Sequence, residues 1–425
     1  MGFCSVCGCW VDEWDICGHC GSSGGNYEEE NDDYDDESDN YISRAEYFIR
    51  QAKTCSIKGD HKTAIKFYKE VLSQCGSVTN FNVLSFIADE YEAMGDYISA
   101  EEYWNRCTAV ENYDSYKYIA RKGDFLYRRE RYEDAVEAYE EALKLLEDLK
   151  DKNIGWFTLK HYARVTHFII QSHKILGWNN PEEKYHGQLK HEISRFINRI
   201  GTDDEYKARN LSRAAWDIYE EDKMCDEALI LIDSAIIIHP DDKYYYRKAI
   251  FINHKLEIRV IVKRIKPQDL DRINEALGML PKDCDRSPFL KTKRDILNLL
   301  GDPVKAKICN ALAYEQYDEV DIADKQLKKL KKLGTYINIT GIHYYRGFAP
   351  FSEGTVVDLI KEPDNPHDRN AIRVEVNGET VGYVANNKYT LIKEVKSATD
   401  IKNSNATHAE VQFILFNEWV IAKLI

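Results

Sequence analysis

The motifs of the commonest enzyme classes are missing from this 425-residue chain. The dipeptide Gly-Lys never occurs, which excludes a Walker A loop, and neither H-E-x-x-H nor a dinucleotide-binding fingerprint is present. Carboxylates are plentiful, but no two of them pair into a recognisable acid/base site, and on charged helices their usual role is solvation. We therefore predict a protein that is not an enzyme and has no small-molecule substrate.

Long hydrophobic runs are missing as well. No run reaches ~18 apolar residues, and the first residues carry cysteines and acids where a signal peptide would carry a basic region and an apolar core. Of the eleven cysteines, four are paired at metal-binding spacing and seven are scattered singly, which fits zinc and free thiols better than a disulfide framework. We expect no membrane association and a reducing, cytoplasmic location, with a nuclear one left open.

A strongly basic domain is the third absence. The formal net charge is -14, and the stretch at residues 28–39 alone holds nine acids and no base. The last 91 residues hold nine basic and eleven acidic side chains. Since affinity for a phosphate backbone comes largely from Lys and Arg, any nucleic-acid binding here should be weak in general affinity and should depend on a shaped pocket.

Two cysteine pairs stand near the start of the chain. Cys4-x-x-Cys7 and Cys17-x-x-Cys20 each place two thiolates on one short turn, and a glycine, which can adopt a positive φ, follows each pair. Four sulfur ligands make a closed tetrahedral site, which is structural. We predict one structural Zn2+ in a zinc ribbon at residues 1–21; the alternative is a set of cysteines without metal.

Residues 22–40 are rich in Gly and Ser and then in acids, and they hold few large apolar groups. Such a segment cannot bury enough surface to offset its ordering entropy, so we predict an acidic, disordered linker. A plain solvated tether is the simpler interpretation. The alternative is that the acidic run mimics nucleic acid and competes for a binding face.

A repeated pattern organises the helical segment that we predict at residues 41–334. It places a small residue four positions before an aromatic one, and the alanines lie 36 and 35 residues apart. The three copies are Gly59-Asp-His-x-x-Ala64-x-x-x-Tyr68, Gly95-Asp-Tyr-x-x-Ala100-x-x-x-Trp104 and Arg131-Tyr132-x-x-Ala135-x-x-x-Tyr139. This pattern resembles the tetratricopeptide repeat. A later copy is centred on Ala228, and the 93 residues between Ala135 and Ala228 leave room for two more degenerate helical pairs.

The resemblance implies an α-solenoid, a fold whose stacked repeats usually bind a protein partner; the alternative is a spacer. The end of this segment carries five lysines at residues 325–332, KQLKKLKK. Such a run is most often a solvated helix face. It would otherwise guide a DNA backbone or serve as a nuclear import signal.

The C-terminal segment has a different character. Two prolines and several Asx residues in EPDNPHDRNAI, residues 362–372, predict a tight, hydrogen-bonded loop. Alternating apolar runs on both sides predict that two strands flank it. GIHYYRG, residues 341–347, precedes the loop, and VGYV, residues 381–384, follows it. The sequence therefore predicts a rigid loop that holds polar side chains at the rim of a β-domain.

These three segments, in this order, resemble the HIRAN domain family, and the resemblance covers residues 335–425. It implies an OB-like β-barrel that binds single-stranded DNA, especially a free 3′ end. Tyr344 matches the aromatic residue on which the family stacks a terminal base. Asn365 and Asp368 match loop residues that bond to the end nucleotide, and Asp368 is the candidate for the 3′-hydroxyl. His343, His367 and Tyr383 complete the predicted DNA-binding set.

The sequence departs from the family at three positions. His343 stands where Arg is frequent, His367 where Tyr is frequent, and Asn386 lies near the position of an expected Lys. Each departure removes affinity for phosphate more than for a strand end. The predicted function is a DNA-binding adaptor, in DNA repair or the response to replication stress, with a protein partner on the repeats. The alternatives are a scaffold whose barrel no longer binds DNA and a regulatory subunit of a separately encoded helicase or nuclease.

Overall fold

The computed structural model describes residues 2–3, 10–11, 37–74, 80–109, 115–148, 155–179, 181–199, 201, 203–330, 334–387 and 390–425. The chain divides into two compact units, Met1–Val110 and Glu111–Ile425. The four predicted zinc ligands, Cys4, Cys7, Cys17 and Cys20, lie outside the described residues. No helix among the described residues is long and apolar enough to cross a membrane.

The first unit holds one short strand pair and four helices. Strand β1 (Gly2–Phe3) pairs antiparallel with β2 (Trp10–Val11). The helices are α1 (Glu37–Ile57), α2 (His61–Gln74), α3 (Asn80–Ala93) and α4 (Tyr97–Thr108). Helix α1 thus begins inside the segment that the sequence predicts as a linker. Consecutive helices pack on one another, α1 on α2 and α3 on α4.

The Gly-Asp dipeptide of the repeat forms the turn between paired helices. Gly59 and Gly95 have φ of 77° and 76°, the left-handed conformation that ends a helix. The aspartate that follows caps the next helix: Oδ1 of Asp96 accepts a hydrogen bond of 3.1 Å from the backbone N–H of Ser99. The third copy lacks both residues. There Glu130 adopts φ of 60° without the help of glycine, and Arg131 makes no side-chain cap.

The second unit begins with eleven helices in its described part. They are α5 (Ser115–Arg128), α6 (Tyr132–Glu147), α7 (Trp156–Ile175), α8 (Glu182–Arg199), α9 (Asp204–Asp222), α10 (Cys225–Ile238), α11 (Asp242–Ile261), α12 (Gln268–Gly278), α13 (Ser287–Leu299), α14 (Pro303–Ala313) and α15 (Tyr317–Leu330). Only one pair, α7 and α8, lies between the copy at Ala135 and the copy at Ala228, rather than the predicted two. The reason is length, since α7, α8 and α9 have 20, 18 and 19 residues.

The small residues of the repeat are buried, and its aromatic rings pack against the next helix. Ala64, Ala100 and Ala135 are fully buried. Within the first unit, the ring of Tyr68 lies 5.4 Å from that of Phe86 in the next helix. Within the second unit, the ring of Tyr139 stacks 5.8 Å from that of Phe168 in the next helix.

Gly123 of α5 makes room for this aromatic residue. A Cβ atom at Gly123 would lie 2.6 Å from the buried Tyr139 ring. Such a distance is far inside van der Waals contact, so any larger residue would displace the ring. The close approach of α5 and α6 therefore depends on the absence of a side chain at this position.

Six antiparallel strands close into a barrel at the end of the second unit. They are β3 (Tyr336–Thr340), β4 (Val356–Lys361), β5 (Ile372–Val376), β6 (Glu379–Val384), β7 (His408–Leu415) and β8 (Trp419–Leu424), in the spatial order β3-β6-β5-β4-β7-β8. A short helix, α16 (Ala398–Ile401), lies between β6 and β7. Inward residues of the strands form one apolar core. The predicted fold class, a tetratricopeptide-like α-solenoid followed by a C-terminal β-barrel, is confirmed.

The barrel shares a second apolar core with the last helices. Val304, Ala323 and Leu330 of α14 and α15 pack in one cluster with barrel residues that include Phe413 and Trp419. Polar contacts reinforce this interface. Buried Asp302 lies 3.1 Å from Lys393 Nζ, and Lys307 Nζ lies 2.7 Å from Glu418. The barrel therefore packs directly against the last two helices of the helical segment.

Candidate nucleic-acid interface

The first feature of the rim is a 3-10 turn that follows β3. Gly341 has φ of 74°, and residues Ile342–Tyr344 form a 3-10 helix directly after it. Gly382 of β6 lies against this turn, because a Cβ there would approach the Thr340 carbonyl oxygen to 2.7 Å. The glycines of GIHYYRG and VGYV are thus required by a left-handed turn and by a close strand contact.

Tyr344 projects from this turn into solvent. Its side chain is 90% exposed, which rules out a role in the core. In the part of the chain that the structure describes, the Tyr344 side chain makes no hydrogen bond and no ring contact. Neighbouring His343 is also exposed, and its ring centroid lies 5.5 Å from that of Phe348, with the two rings nearly perpendicular. An exposed aromatic ring on a short, fixed turn is suited to stacking on a flat ligand.

The loop between β4 and β5 is closed by backbone hydrogen bonds. The N–H of Glu362 donates to the Ala371 carbonyl at 2.9 Å, and the N–H of Ala371 donates to the Asp368 carbonyl at 2.9 Å. Oδ1 of Asn365 accepts from the N–H groups of His367 and Asp368 at 3.0 and 3.3 Å. The sequence prediction of a hydrogen-bonded loop between two strands is confirmed.

Both carboxylate oxygens of Asp368 already accept a hydrogen bond within the protein. Oδ1 accepts from the N–H of Asn370 at 2.8 Å, and Oδ2 accepts from Nδ2 of Asn386 at 2.7 Å. Asn386 in turn accepts from Thr399, through the backbone N–H at 3.0 Å and the hydroxyl at 2.8 Å. Each carboxylate oxygen has a second lone pair, so Asp368 keeps acceptor capacity toward a ligand.

A second group of contacts fixes the start of the loop. Glu362 accepts a hydrogen bond of 2.8 Å from Nδ2 of Asn365 and lies 2.9 Å from Nη1 of Arg373 on β5. Half-buried Tyr383 of β6 stands opposite Arg373 in the sheet. Burial, together with the nearby Glu362 carboxylate and Tyr345, raises the pKa of the Tyr383 phenol, which therefore stays neutral at physiological pH.

The predicted residues fall into two groups. His367 is exposed on the loop, with Asn365 and Asp368 half-buried beside it. Tyr383 joins this loop through Glu362, whereas His343 and Tyr344 lie on the separate turn after β3. None of these DNA contacts is tested by the fold alone, and they stay predictions.

Sequence reasoning missed the residues that surround the loop. The sequence prediction mentions Asn386 only because a lysine is expected near its position. In the structure, its side-chain amide donates a hydrogen bond to Asp368 and accepts two from Thr399, and so joins the loop to α16. Cations also flank the loop: Lys402 Nζ lies 3.3 Å from Asn370 Oδ1, and Arg369 is exposed. The Asn-Asn dipeptide that follows VGYVA was the available sequence signal for these contacts, but the residues that Asn386 contacts lie far from it in the sequence.

The lysine run at the end of α15 has a structural role in its described part. Nζ of Lys329 lies 3.6 Å from Glu353 and 5.8 Å from the centroid of the Phe413 ring of β7. Lys325 and Lys328 are exposed. Among the described residues, no group of three or more His, Cys, Asp or Glu side chains is arranged to hold a metal ion.

Comparisons with known families agree with this geometry. Residues 334–397 match the HIRAN domain, and residues 116–148 match the tetratricopeptide repeat. The resemblance to both families is confirmed. The HIRAN match contains the turn, the loop and the VGYV strand, but it ends before β7 and β8, which close the barrel. Both families are binding domains that are not typically catalytic.

Similar solved structures carry helical repeats. The TPR2AB-domain:pHSP90-complex of yeast Sti1 is 17% identical, covers 63% of this chain and 99% of its own, and has a TM-score of 0.23. A TPR repeat-containing protein from Cytophaga hutchinsonii is 12% identical, covers 67% of this chain and 100% of its own, and has a TM-score of 0.30. These scores are too low to carry a further argument. No curated protein matches the chain.

Proposed function

We propose that this protein is a nucleic-acid-binding adaptor without catalytic activity. Its barrel recognises the 3′ end of single-stranded DNA, and its helical repeats recruit a protein partner. The observation that carries the proposal is the exposed Tyr344 ring on a fixed turn, in the same domain as a rigid loop that presents Asn365 and Asp368. DNA repair or the response to replication stress is the process in which such an adaptor would act.

The chemistry of the loop fits a strand end better than an internal phosphate. A sugar hydroxyl donates a hydrogen bond to a carboxylate, whereas a phosphate would be repelled by Asp368. The Tyr344 ring supplies a stacking surface for the terminal base. The exposed cations Arg369 and Lys402 lie close enough to the loop to attract the backbone next to the end.

The test compares an oligonucleotide that has a free 3′-hydroxyl with the same strand carrying a 3′-phosphate. We expect weak binding that favours the free hydroxyl. Tyr344→Ala should cost ~1–3 kcal/mol of binding free energy through lost stacking. Asp368→Ala should abolish the preference between the two strands. Tyr317→Ala, which removes another exposed tyrosine of the same unit, is the control and should change nothing.

A second candidate function is a protein-interaction scaffold whose barrel does not bind DNA. It is favoured by the internal hydrogen bonds of Asn365 and Asp368. Because these side chains stabilise the loop, no ligand is needed to explain why they are present. No binding of either oligonucleotide at low salt would support this function instead, whereas equal binding of both by the natural protein would overturn the recognition of the 3′ end. The third candidate, a regulatory subunit of a helicase or nuclease, has no observation of its own.

Two further parts of the proposal concern a metal site and the cellular location. We propose that Cys4, Cys7, Cys17 and Cys20 bind one structural Zn2+, because two C-x-x-C pairs supply four thiolates for a tetrahedral site. We also propose a cytoplasmic, reducing location, in keeping with the absence of a disulfide among the described residues. Metal analysis and fractionation of cells test these two statements separately.

A further inference from the structure

The turn between α11 and α12 is rich in cations. Residues 258–268, IRVIVKRIKPQ, hold four basic side chains and no acid. The four are Arg259, Lys263, Arg264 and Lys266. The acids that flank this stretch are engaged elsewhere, because Glu257 accepts a hydrogen bond from the Thr292 hydroxyl of α13 and Asp269 is buried. Seven of the eight residues at 261–268 are exposed, so the turn is convex and forms no groove.

Three aliphatic side chains share this turn with the cations. Ile258, Ile261 and Val262 are 46%, 77% and 52% exposed. Ile258 and Ile261 lie at the spacing that places two residues on one face of a helix, at the end of α11. Ile265 of the same turn, by contrast, packs into the core that α11, α12 and α13 share. Single exposed aliphatic residues are ordinary, but a group of them rimmed by polar residues marks an interaction site.

Hydrogen bonds hold the turn in one conformation. The N–H of Arg264 donates to the Arg259 carbonyl at 2.9 Å, and Lys263 adopts φ of 53°, the left-handed conformation that ends a helix. Buried Asp269 accepts from Nη1 of Arg259 at 2.7 Å and from the backbone N–H of Lys266 at 2.8 Å. The turn therefore presents its cations and its aliphatic side chains together, on a backbone that is already ordered.

The local charge decides what this turn attracts. Arg259 is paired with Asp269, and the next charged residues of α12, Asp271 and Arg272, cancel one another. Three positive charges remain, on Lys263, Arg264 and Lys266. Salt screens exposed charges beyond about 10 Å at ~0.1 M ionic strength. At that salt, an anionic partner that contacts the turn responds to these three charges more than to the net charge of the chain.

We propose that residues 258–268 form a peripheral contact with an anionic lipid surface. The three cations bind the phosphate and carboxylate groups of the lipid head groups, while Ile261 and Val262 enter the apolar layer just beneath them. A nucleic-acid backbone would satisfy the cations but would leave the aliphatic side chains without an apolar partner. A convex turn also offers no groove for a helix of a partner protein. A lipid surface uses both halves of the turn.

This contact needs no membrane-spanning segment. The sequence predicts no membrane association because it holds no run of ~18 apolar residues, but that argument concerns a span. A segment that lies in the interface needs only cations and a few apolar side chains, and its binding is reversible. The inference is independent of the proposed function, since it uses neither the barrel nor a protein partner.

The experiment sediments the full-length protein at low salt with vesicles of phosphatidylcholine, either pure or mixed with phosphatidylserine. We expect binding to the mixed vesicles only. The double variant Lys263→Gln/Arg264→Gln should weaken it about thirtyfold, roughly fivefold for each cation lost. Lys282→Gln is the matched control, because Lys282 is an exposed cation of the turn between α12 and α13 with Asp283 beside it, and it should change binding by less than about twofold. Equal binding to both kinds of vesicle, or equal losses in the two variants, would overturn the proposal.

A second set of variants tests the aliphatic half of the turn. Ile261→Ser should weaken binding about tenfold, because the side chain no longer gains from entering the apolar layer, and Ile261→Leu should retain it. Ile237→Ser is the control: Ile237 of α10 is 82% exposed, but acids follow it at Asp241 and Asp242 where cations follow Ile261. Since these side chains are exposed, thermal melting should be unchanged in each variant. An Ile261→Ser protein that binds vesicles as tightly as Ile237→Ser would rule out insertion and, with it, the lipid.

Two further arms separate lipid from other anionic partners. A short oligothymidine and an end-blocked peptide of Glu-Thr repeats replace the vesicles. If Lys263→Gln/Arg264→Gln weakens the binding of either one and the natural protein binds no vesicles, the turn belongs to nucleic acid or to an acidic protein, and the lipid proposal is wrong. Tyr344→Ala should leave vesicle binding unchanged. Failure of vesicle binding with intact recognition of a 3′ end would overturn this inference and leave the barrel function standing.

Discussion

Nδ2 of Asn386 donates a hydrogen bond of 2.7 Å to Oδ2 of Asp368, although the two residues lie 18 positions apart. The same Asn386 amide accepts two hydrogen bonds from Thr399 at the start of α16. The position of the Asp368 carboxylate is thus set by the connection that follows β6 as well as by its own loop. Asn386 acts as a positioning residue for the loop rather than as a phosphate contact.

The first prediction is that Asn386→Ala loosens this loop. Loss of the buried part of the network should lower the free energy of unfolding by about 1–2 kcal/mol. It should also reduce the preference for a free 3′-hydroxyl while leaving salt-dependent affinity unchanged. Urea unfolding and oligonucleotide binding measure the two effects. Asn403→Ala, at an exposed site after α16, is the control, and an Asn386→Ala protein that matches it in both assays would contradict the prediction.

The loop also shows how far local sequence determines a site. The two prolines and the Asx residues of residues 362–372 predict the turn, because their hydrogen bonds join positions two or three apart, as from Asn365 to His367. The contact from Asp368 to Asn386 was out of reach, since it depends on the register of β5 and β6. The exposure of Tyr344 was implied only by the resemblance to the HIRAN domain, because tyrosine by itself is intermediate between core and surface in its usual burial.

Gly123 provides a test of helix packing in which two effects have opposite signs. Gly123→Ala should gain about 1 kcal/mol of helix propensity but force a Cβ to within 2.6 Å of the Tyr139 ring. Overpacking costs about 1–3 kcal/mol, and the ring cannot move freely because its hydroxyl donates to buried Asp124 at 2.8 Å. We expect net destabilisation in thermal melting.

Gly187 of α8 is the matched control for this substitution. It lies within a helix, and a Cβ there would meet nothing within 4 Å. Gly187→Ala should therefore stabilise the protein by about 0.5–1 kcal/mol. Stabilisation by both substitutions would show that the contact between α5 and α6 is looser than the structure places it.

The shared core between barrel and helices predicts that a barrel fragment is less stable when it begins at residue 335 than when it includes the last helices. The sequence places the start of the barrel domain at residue 335, but a fragment of residues 335–425 would expose the apolar surface that α14 and α15 cover. We expect this fragment to melt at a lower temperature and to bind a hydrophobic dye. A fragment of residues 301–425 keeps Val304, Asp302 and Lys307 and should melt at a higher temperature than the shorter one. Equal melting temperatures of the two fragments would contradict the prediction.

The fourth prediction concerns metal removal. If Cys4, Cys7, Cys17 and Cys20 hold zinc, purified protein should contain about one equivalent, and a chelator should release it without loss of the helical circular dichroism signal. In so small a ribbon, metal binding is coupled to folding, and we expect this coupling to affect the ribbon and not the helices. Cys17→Ser should lower the zinc content, whereas Cys284→Ser, at a free thiol of the helical segment, should not. Less than about half an equivalent in the natural protein would count against the site.

A buried carboxylate in the second unit gives a pH prediction. Glu227 of α10 accepts hydrogen bonds from His167 of α7 at 2.9 Å and from His186 of α8 at 3.0 Å. Burial by itself raises the pKa of Glu227, but the two histidine hydrogen bonds outweigh it and lower the pKa from 4.5 to about 2. A carboxyl whose pKa is lower in the folded than in the unfolded chain stabilises the fold above its unfolded pKa. That stabilisation is lost as pH falls through the folded pKa.

The free energy of unfolding should therefore drop between about pH 5 and pH 2, by roughly 3 kcal/mol from this residue. In Glu227→Gln this contribution is absent at every pH, so the difference between the two proteins should be largest near pH 5 and should shrink toward pH 2. Glu205→Gln, which removes an exposed carboxylate of α9, is the control and should follow the natural protein throughout. Urea unfolding at stepped pH measures all three. A constant difference between the natural protein and Glu227→Gln across this range would mean that the two histidines do not hold Glu227 in its charged form.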